Sequence, residues 1–439
     1  MPLRQLLNCS RSLYERGVYK SGVAAYRFRA PRLAGHLLDH YTRLAGSADL
    51  IATRSTNGCP NPVDYAEFER SFDDFLKREW ESWGAGAIPQ PGFFRDVGPR
   101  RAKAPAKDLR VLAVMPRYVQ SSERYVEYDL IDHTYRSMVN CGIQADIFDA
   151  DRISYPALFR LDPQKAADDL AALRRRVGET RANILFFDGN FVGRPGSLNA
   201  EFLNELRATF GLKLIAFVGD AWGDYGSRAV AYWAPVCDLI VHLVPDLGIA
   251  DASAAPDKLV CIPYPVNEKN FFPERTRSLD LSFFGSRRTY LRLFWLAHVR
   301  TSAARLRLNS NLQATLRTSD CPPMPEYAAI MRRSRMVLNF STRDRTTKII
   351  TGRVWQALHS GVVLLEEENA ATRFFFVPFI HYVPFENARQ LRHMIEFFSK
   401  NRGWENRIGD EAAEFCAKHY AASDTWASIF ARVCVSVAA

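Results

Sequence analysis

From Leu109 onward the chain keeps a rhythm. Short apolar runs rich in β-branched and aromatic residues alternate with longer stretches whose apolar residues fall at helical spacing. A run that is apolar at nearly every position is buried on both faces and needs helices above and below it, as strands of a parallel sheet do. We read LRVLAVM (109–115), ADIFDA (145–150), NILFFD (183–188), KLIAFVG (213–219), CDLIVHL (237–243) and KLVCIPY (258–264) as strands, with helices between them at 123–140, 163–177, 199–209 and 226–234. After Pro273 the rhythm restarts: LDLSFFG (279–285), a helix through His298, a short strand near 305–308, a helix at 325–333 and RMVLNFS (335–341). A strand near 381–385 and helices at 387–400, 404–419 and 424–437 close the chain. This alternation predicts an α/β fold of two Rossmann-like doubly wound domains, whose strand ends face a cleft.

The first hundred residues break the pattern. The stretch YAEFERSFDDFLKREWESW (65–83) has helical spacing, and the Pro-, Gly- and Arg-rich 89–107 reads as a linker. The domain boundaries that follow are 1–104 for an N-terminal, mainly helical extension and linker, 105–270 for a first Rossmann-like domain and 271–439 for a second. The last helix of the second is expected to pack back on the first domain.

Charge and cysteines narrow the class. Lys and Arg total 58 against 48 Asp and Glu, a net charge of +10 that favours an anionic partner. The basic residues are spread and no nucleic-acid-binding motif appears, so nucleic acid is not expected. Eight cysteines without a C-x-x-C pair fit reduced thiols in a cytoplasmic protein, with neither disulfides nor a zinc site. The N-terminus lacks the apolar core of a secretory signal, and no run approaches the roughly 20 residues that cross a bilayer. Arg4, Arg11, Arg16, Lys20, Arg27 and Arg29 among apolar neighbours suggest peripheral contact with the inner membrane face, set against the plainer reading of a solvated basic surface.

Two stretches carry candidate chemistry. In FFGSRRTYLR, Gly285 permits a close turn, Ser286 can cap, and Arg287, Arg288 and Arg292 bring positive charge to a helix start, where a diphosphate is favoured. The alternative is a solvated basic helix start. In TKIITGRVWQALHSGVVLLEEEN (347–369), Thr346 or Thr347 caps a helix that carries Lys348, Gly352, Arg353 and Gln356. On a helix Lys348 and Gln356 would project from one side, about 12 Å apart. Of the three carboxylates Glu366, Glu367 and Glu368, read as mainly solvated, at most one meets a ligand. An acceptor base would come from the first sheet, where Asp188, Asp220, Asp224 and His242 stand at strand ends. Asp220 suits general base work, against the commoner role of a turn aspartate. His133 reads as a packed histidine.

The motifs LNFS (338–341), GRVWQALHSG (352–361), LLEEEN (364–369), FFF (374–376) and YVPF (382–385) together resemble a GT-B glycosyltransferase of the group 1 type, above all its branch of spore-maturation CgeB-like proteins. FFGS (283–286) and IPYPVNEKNFFP (262–273) resemble the family's strand end and domain-crossing segment. The resemblance covers roughly 210–430, and it implies metal-independent transfer of a sugar from a nucleotide-diphosphate donor to an acceptor hydroxyl, with no cofactor beyond that co-substrate. It places the donor on the second domain and a glycan, lipid-linked or protein acceptor on the first. By the family's pattern Glu367 and Asn369 are donor contacts. The family often carries glutamates where this chain has Lys348 and Gln356. Lysine cannot accept a sugar hydroxyl, so Lys348 is assigned to the leaving diphosphate and Asp220 to the acceptor. Loss of both glutamates keeps open a catalytically inactive GT-B-shaped binding or scaffold protein.

Overall fold

The computed structural model describes residues 74, 91–96, 108–117, 127, 129–150, 163–190, 192–193, 197–219, 223–245, 256–286, 290–315, 322–342 and 348–434. The extension 1–104, apart from 74 and 91–96, lies outside them, as do Asp220, Arg287, Arg288, Thr346 and Thr347. Contacts sort the chain into two compact units. One comprises Asp96–Phe272, Cys321–Ala328 and Phe415–Ala439; the other comprises Met1–Arg95, Pro273–Asp320 and Ala329–Glu414.

The first unit is built on β1 (Arg110–Met115), β2 (Gln144–Asp149), β3 (Ile184–Asp188), β4 (Lys213–Val218), β5 (Leu239–His242) and β6 (Leu259–Cys261). They form one sheet in the order β2-β1-β3-β4-β5-β6, every pairing parallel. Leu112, Val114, Leu185, Phe187, Leu214 and Ala216 alternate along one face into a core sealed by Leu203, Leu206 and Trp233. The helix Ala200–Phe210 starts on Asn199, whose side chain accepts from Phe202 N, and stops on Gly211 at φ 67°, a left-handed turn that glycine adopts without strain. The helix Ala422–Cys434 belongs to this unit: the Trp426 ring meets Phe186 edge-on, and its indole N–H donates to Ser137 Oγ at 3.0 Å.

The second unit holds β7 (Leu279–Ser286), β8 (Ser310–Thr315), β9 (Ser334–Asn339), β10 (Val363–Glu367) and β11 (Val383–Phe385), again all parallel, in the order β11-β10-β9-β7-β8. Its core joins Leu281, Phe283, Met336, Leu338, Val363 and Leu365 to Trp295, Leu391, Met394 and Ile408 from the covering helices. The helix Trp404–His419 comes close enough to the turn at Gly361 that a Cβ on Gly409 would sit 2.0 Å from Gly361 O. Arg277 secures the same turn, donating to Gly361 O at 2.8 Å.

Two sequence expectations are corrected here. The strand expected near 305–308 is Ser310–Thr315, because the helix Tyr290–Arg305 runs on and the chain turns at Arg307 with φ 54°. Leu306 and Leu308, which suggested a strand, pack on the core from that turn, while the true edge strand is polar. In the segment read as a linker, Gly92–Asp96 is helical, and Phe93 is buried with its ring 5.2 Å from Phe375. Among the described residues no helix is long and apolar enough to cross a membrane.

Candidate functional site

In the second sheet β7 leads to β8 on one side, and the chain then crosses to β9 on the other, so strand order reverses between β7 and β9. Loops leaving two such neighbours part in opposite directions and open a crevice at their carboxyl ends, the usual ligand position in open α/β sheets. Gly285 and Asn339 stand at those two ends.

Gly285 is required by what approaches it. A Cβ there would lie 3.0 Å from Arg353 Nη2, 3.0 Å from Phe283 Cζ and 3.5 Å from Arg292 Nη1. Two guanidinium groups therefore converge on one side-chain-free point. Arg353 sits in the first turn of the helix Gly352–His359, with its guanidinium carbon 5.3 Å from the Phe283 ring centre and Nη1 donating to Asn339 Oδ1. Arg292 is buried, and its Nη2 donates to Phe340 O at 3.3 Å. The N-cap of the Gly352–His359 helix is Thr351, in extended conformation and without a side-chain cap bond. Its hydroxyl turns back to Asn339 Oδ1 at 3.2 Å and caps no first-turn N–H, of which Val354 N donates to Thr351 O at 3.0 Å.

Beside this point the end of β10 is acidic and closed. Glu366 pairs in register with Asn339 and is fully buried. Ser341 Oγ donates to its Oε1, Thr372 Oγ1 lies 3.4 Å from the same oxygen, and the Asn339 side chain faces the carboxyl. Burial, the largest influence, pushes its carboxyl up to about 8, so it is mainly protonated at neutral pH. Glu367 accepts from Thr342 N at 3.0 Å and from Thr342 Oγ1 at 2.5 Å. Glu368 lies 2.9 Å from Arg373 Nε. Asn369 caps the helix Ala370–Phe375 by accepting from Ala371 N, and its Nδ2 is buried without a hydrogen-bond partner.

The structure thus gathers Gly285, Arg292 and Arg353 at one point, starts a helix at Gly352, and places Lys348, Glu367 and Asn369 around the end of β10. Three expectations change. Lys348 is not on a helix: it forms an isolated antiparallel bridge with Thr342, and its Nζ donates to Glu368 O at 3.0 Å. The β-branched Ile349, Ile350 and Thr351 favour extended backbone there, which delays the helix to Gly352, so the spacing of Lys348 and Gln356 along one helix does not hold. The three glutamates are buried rather than solvated, at 0%, 3% and 8% exposure, because each has a specific polar partner. Gln356 is itself buried, at 2% exposure. Ser286 ends β7. Asn339, Ser341 and Thr342 were missed as site residues. The available signal was an asparagine ending a strand that is apolar over Met336, Val337 and Leu338.

In the first unit His133 is fully buried, accepts from Asn267 N at 3.1 Å, and is held down at about 3 by burial. His242 is likewise lowered to about 4, its Nδ1 lying 2.8 Å from Val244 O. Asp188 accepts from Asn190 N at 3.0 Å in a turn. Among the described residues no cluster of three or more His, Cys, Asp or Glu could hold a metal ion.

Residues 284–431 match the model of a family described as glycosyl transferase-like. Among solved structures, the chain is similar to Anabaena HepE in complex with UDP, with 9% identity over 73% of this chain and 98% of that one and a TM-score of 0.46. It is also similar to sucrose-phosphate synthase from Thermosynechococcus elongatus, with 9% identity, 74% and 100% coverage and a TM-score of 0.48. A glycosyltransferase from Rickettsia africae gives 10% identity, 75% and 99% coverage and a TM-score of 0.47. A search of curated proteins returns no match.

Proposed function

We propose that this chain is a glycosyltransferase of the CgeB-like branch, which moves a sugar from a nucleotide-diphosphate donor to an acceptor hydroxyl. The observation that carries the reading is the convergence of Arg292 and Arg353 on Gly285 beside an uncapped helix start, at the point where strand order reverses. Guanidinium pairs and free helix N–H groups favour a diphosphate, and fixed cations help most where charge develops on a departing nucleotide diphosphate. The match of residues 284–431 to a glycosyl transferase-like family supports the same chemistry.

In this reading the second unit holds the donor and the first takes the acceptor. The arginines, with Arg287 and Arg288, offset the phosphate charge, so transfer needs neither a metal nor a further cofactor. Asp220 is the proposed base. Calorimetry with UDP, GDP, ADP and TDP is the test, and absence of binding by all four at millimolar concentration overturns the reading. The alternative, a catalytically inactive binding protein, is favoured by the burial of Gln356 and by the engagement of Lys348 with a backbone carbonyl. Single-turnover assay separates the two, since hydrolysis of a bound nucleotide sugar marks an enzyme.

A further inference from the structure

Resting on the donor-site reading above, we infer that Asn339 is a positioning residue: it aims the Arg353 guanidinium at the phosphates while leaving its charge unneutralised. Three contacts fix that guanidinium. Its face lies over the Phe283 ring, Nη1 donates to Asn339 Oδ1, and Nη2 reaches the space that Gly285 leaves empty. Among the described residues Arg353 forms no ion pair, its Nε has no hydrogen-bond partner, and the carboxyl that feels its charge, Glu366, is pushed toward the neutral form by burial. A half-buried arginine is ordinarily held by a carboxylate, which would cancel the charge a ligand needs. Here the partner is a neutral amide.

The amide itself is held in one orientation. Asn339 is fully buried, and its Oδ1 accepts from both Arg353 and Thr351 Oγ1. Oxygen must therefore face the arginine, which turns Nδ2 to the other side, toward the carboxyl of its register neighbour Glu366. Asparagine is thus the residue type that binds a guanidinium edge without quenching it, in a position where aspartate would have nearly the same shape.

The test compares N339A, N339D and R353A with the full-length wild type by calorimetry, using inorganic pyrophosphate and the UDP, GDP, ADP and TDP panel as probes. Melting temperature and circular dichroism confirm the fold of each variant. R353A is expected to lose pyrophosphate binding, N339A to weaken it about tenfold, and N339D to weaken it more than N339A by pairing with Arg353. That order, set against melting temperature, is the decisive readout: a purely structural role lowers affinity only in step with melting temperature, whereas pairing of the new carboxylate with Arg353 in N339D lowers it further. If N339A does not fold, N339D alone decides, because binding at wild-type strength overturns the inference. Wild-type affinity in both Asn339 variants, with R353A defective, also overturns it. Pyrophosphate binding that follows the expected order, with no nucleotide diphosphate bound, retains the Arg353 seat and removes the glycosyltransferase reading. No binding of either probe by the wild type overturns both.

Discussion

The two sheets are built alike and end differently. Both are all-parallel, and in each strand order reverses beside the strand that begins the unit, between β1 and β3 in the first and between β7 and β9 in the second. Among the described residues at the first reversal, the polar groups satisfy one another: Arg117 N donates to Asp149 Oδ1 at 3.0 Å, and Asp188 binds its own turn through Asn190. At the second, Arg353 Nε is buried without a hydrogen-bond partner, beside the Asn339 side chain and the Glu366 carboxyl that it faces. Buried polar groups are normally paired, and leaving one unmade costs on the order of 1–3 kcal/mol. Topology provides a crevice in both sheets, but among the described residues the second keeps a buried guanidinium N–H in reserve, and it does so around a convergence of positive charge.

Substitution at the two ends is the strongest way to break this comparison. Gly285→Val fills the point where Arg353 and Arg292 meet, and nucleotide-diphosphate affinity is expected to fall at least about a hundredfold, or ~2.7 kcal/mol. Gly285→Ala adds a single carbon and is expected to cost about tenfold. Asp188→Ala should behave in the opposite way. It removes the acceptor of a closed turn, so urea denaturation should show a loss of about 1–2 kcal/mol while affinity holds. Calorimetry showing G285A equal to wild type, or D188A as weak as G285V, would erase the distinction between the two ends.

Glu366 sharpens the same contrast through pH. Its folded-state carboxyl stands at about 8 against an ordinary 4.5, so the folded protein binds a proton that the unfolded chain has released between those values. Stability from this group is therefore fully present below about 4.5 and is lost as pH rises toward 8, with a slope of at most about 1.4 kcal/mol per pH unit. Glu366→Gln keeps the neutral shape and removes the proton. The variant is expected to match wild type near pH 5, exceed it in melting temperature at pH 8 to 9, and show a flatter pH profile. A profile parallel to wild type would mean that the carboxylate is paired in the fold and that the reserve at the second reversal is smaller than drawn here.

Much of the fold was legible in the residues because parallel strands carry their signature locally. KLIAFV and RMVLN are apolar enough to be recognised alone, and the chain delivers them as β4 and β9. The polar edge strand SNLQAT was not legible, since a strand with one neighbour has no need of an apolar run. At the site, Gly285 and Arg353 were readable from their place after a strand and at a helix start. Asn339 was not, because its contacts are with a lateral neighbour in the sheet and with an arginine fourteen positions later in the chain. Lys348 misled for a related reason. Helical spacing was counted through Ile349, Ile350 and Thr351, whose β-branched side chains and buried environment hold the chain extended.

Thr351 offers the smallest effect and the most direct reading of what the second reversal is for. A threonine N-cap usually contributes about 1 kcal/mol by accepting from the first turn, but here the hydroxyl is turned toward Asn339 Oδ1 and makes no cap bond. Thr351→Ala should therefore cost less than about 0.5 kcal/mol. Thr351→Asp supplies the missing cap and places a carboxylate at the positive helix end, so the ligand-free protein should gain about 0.5 kcal/mol. That carboxylate would occupy the N–H groups an incoming phosphate needs, and nucleotide-diphosphate affinity should fall about threefold or more. Opposite signs in stability and affinity are what a helix start kept open for a ligand must give. If T351D raised both, or raised stability and left affinity unchanged, the absent cap would be an accident of the loop, and the anion would have to be held by the arginines alone.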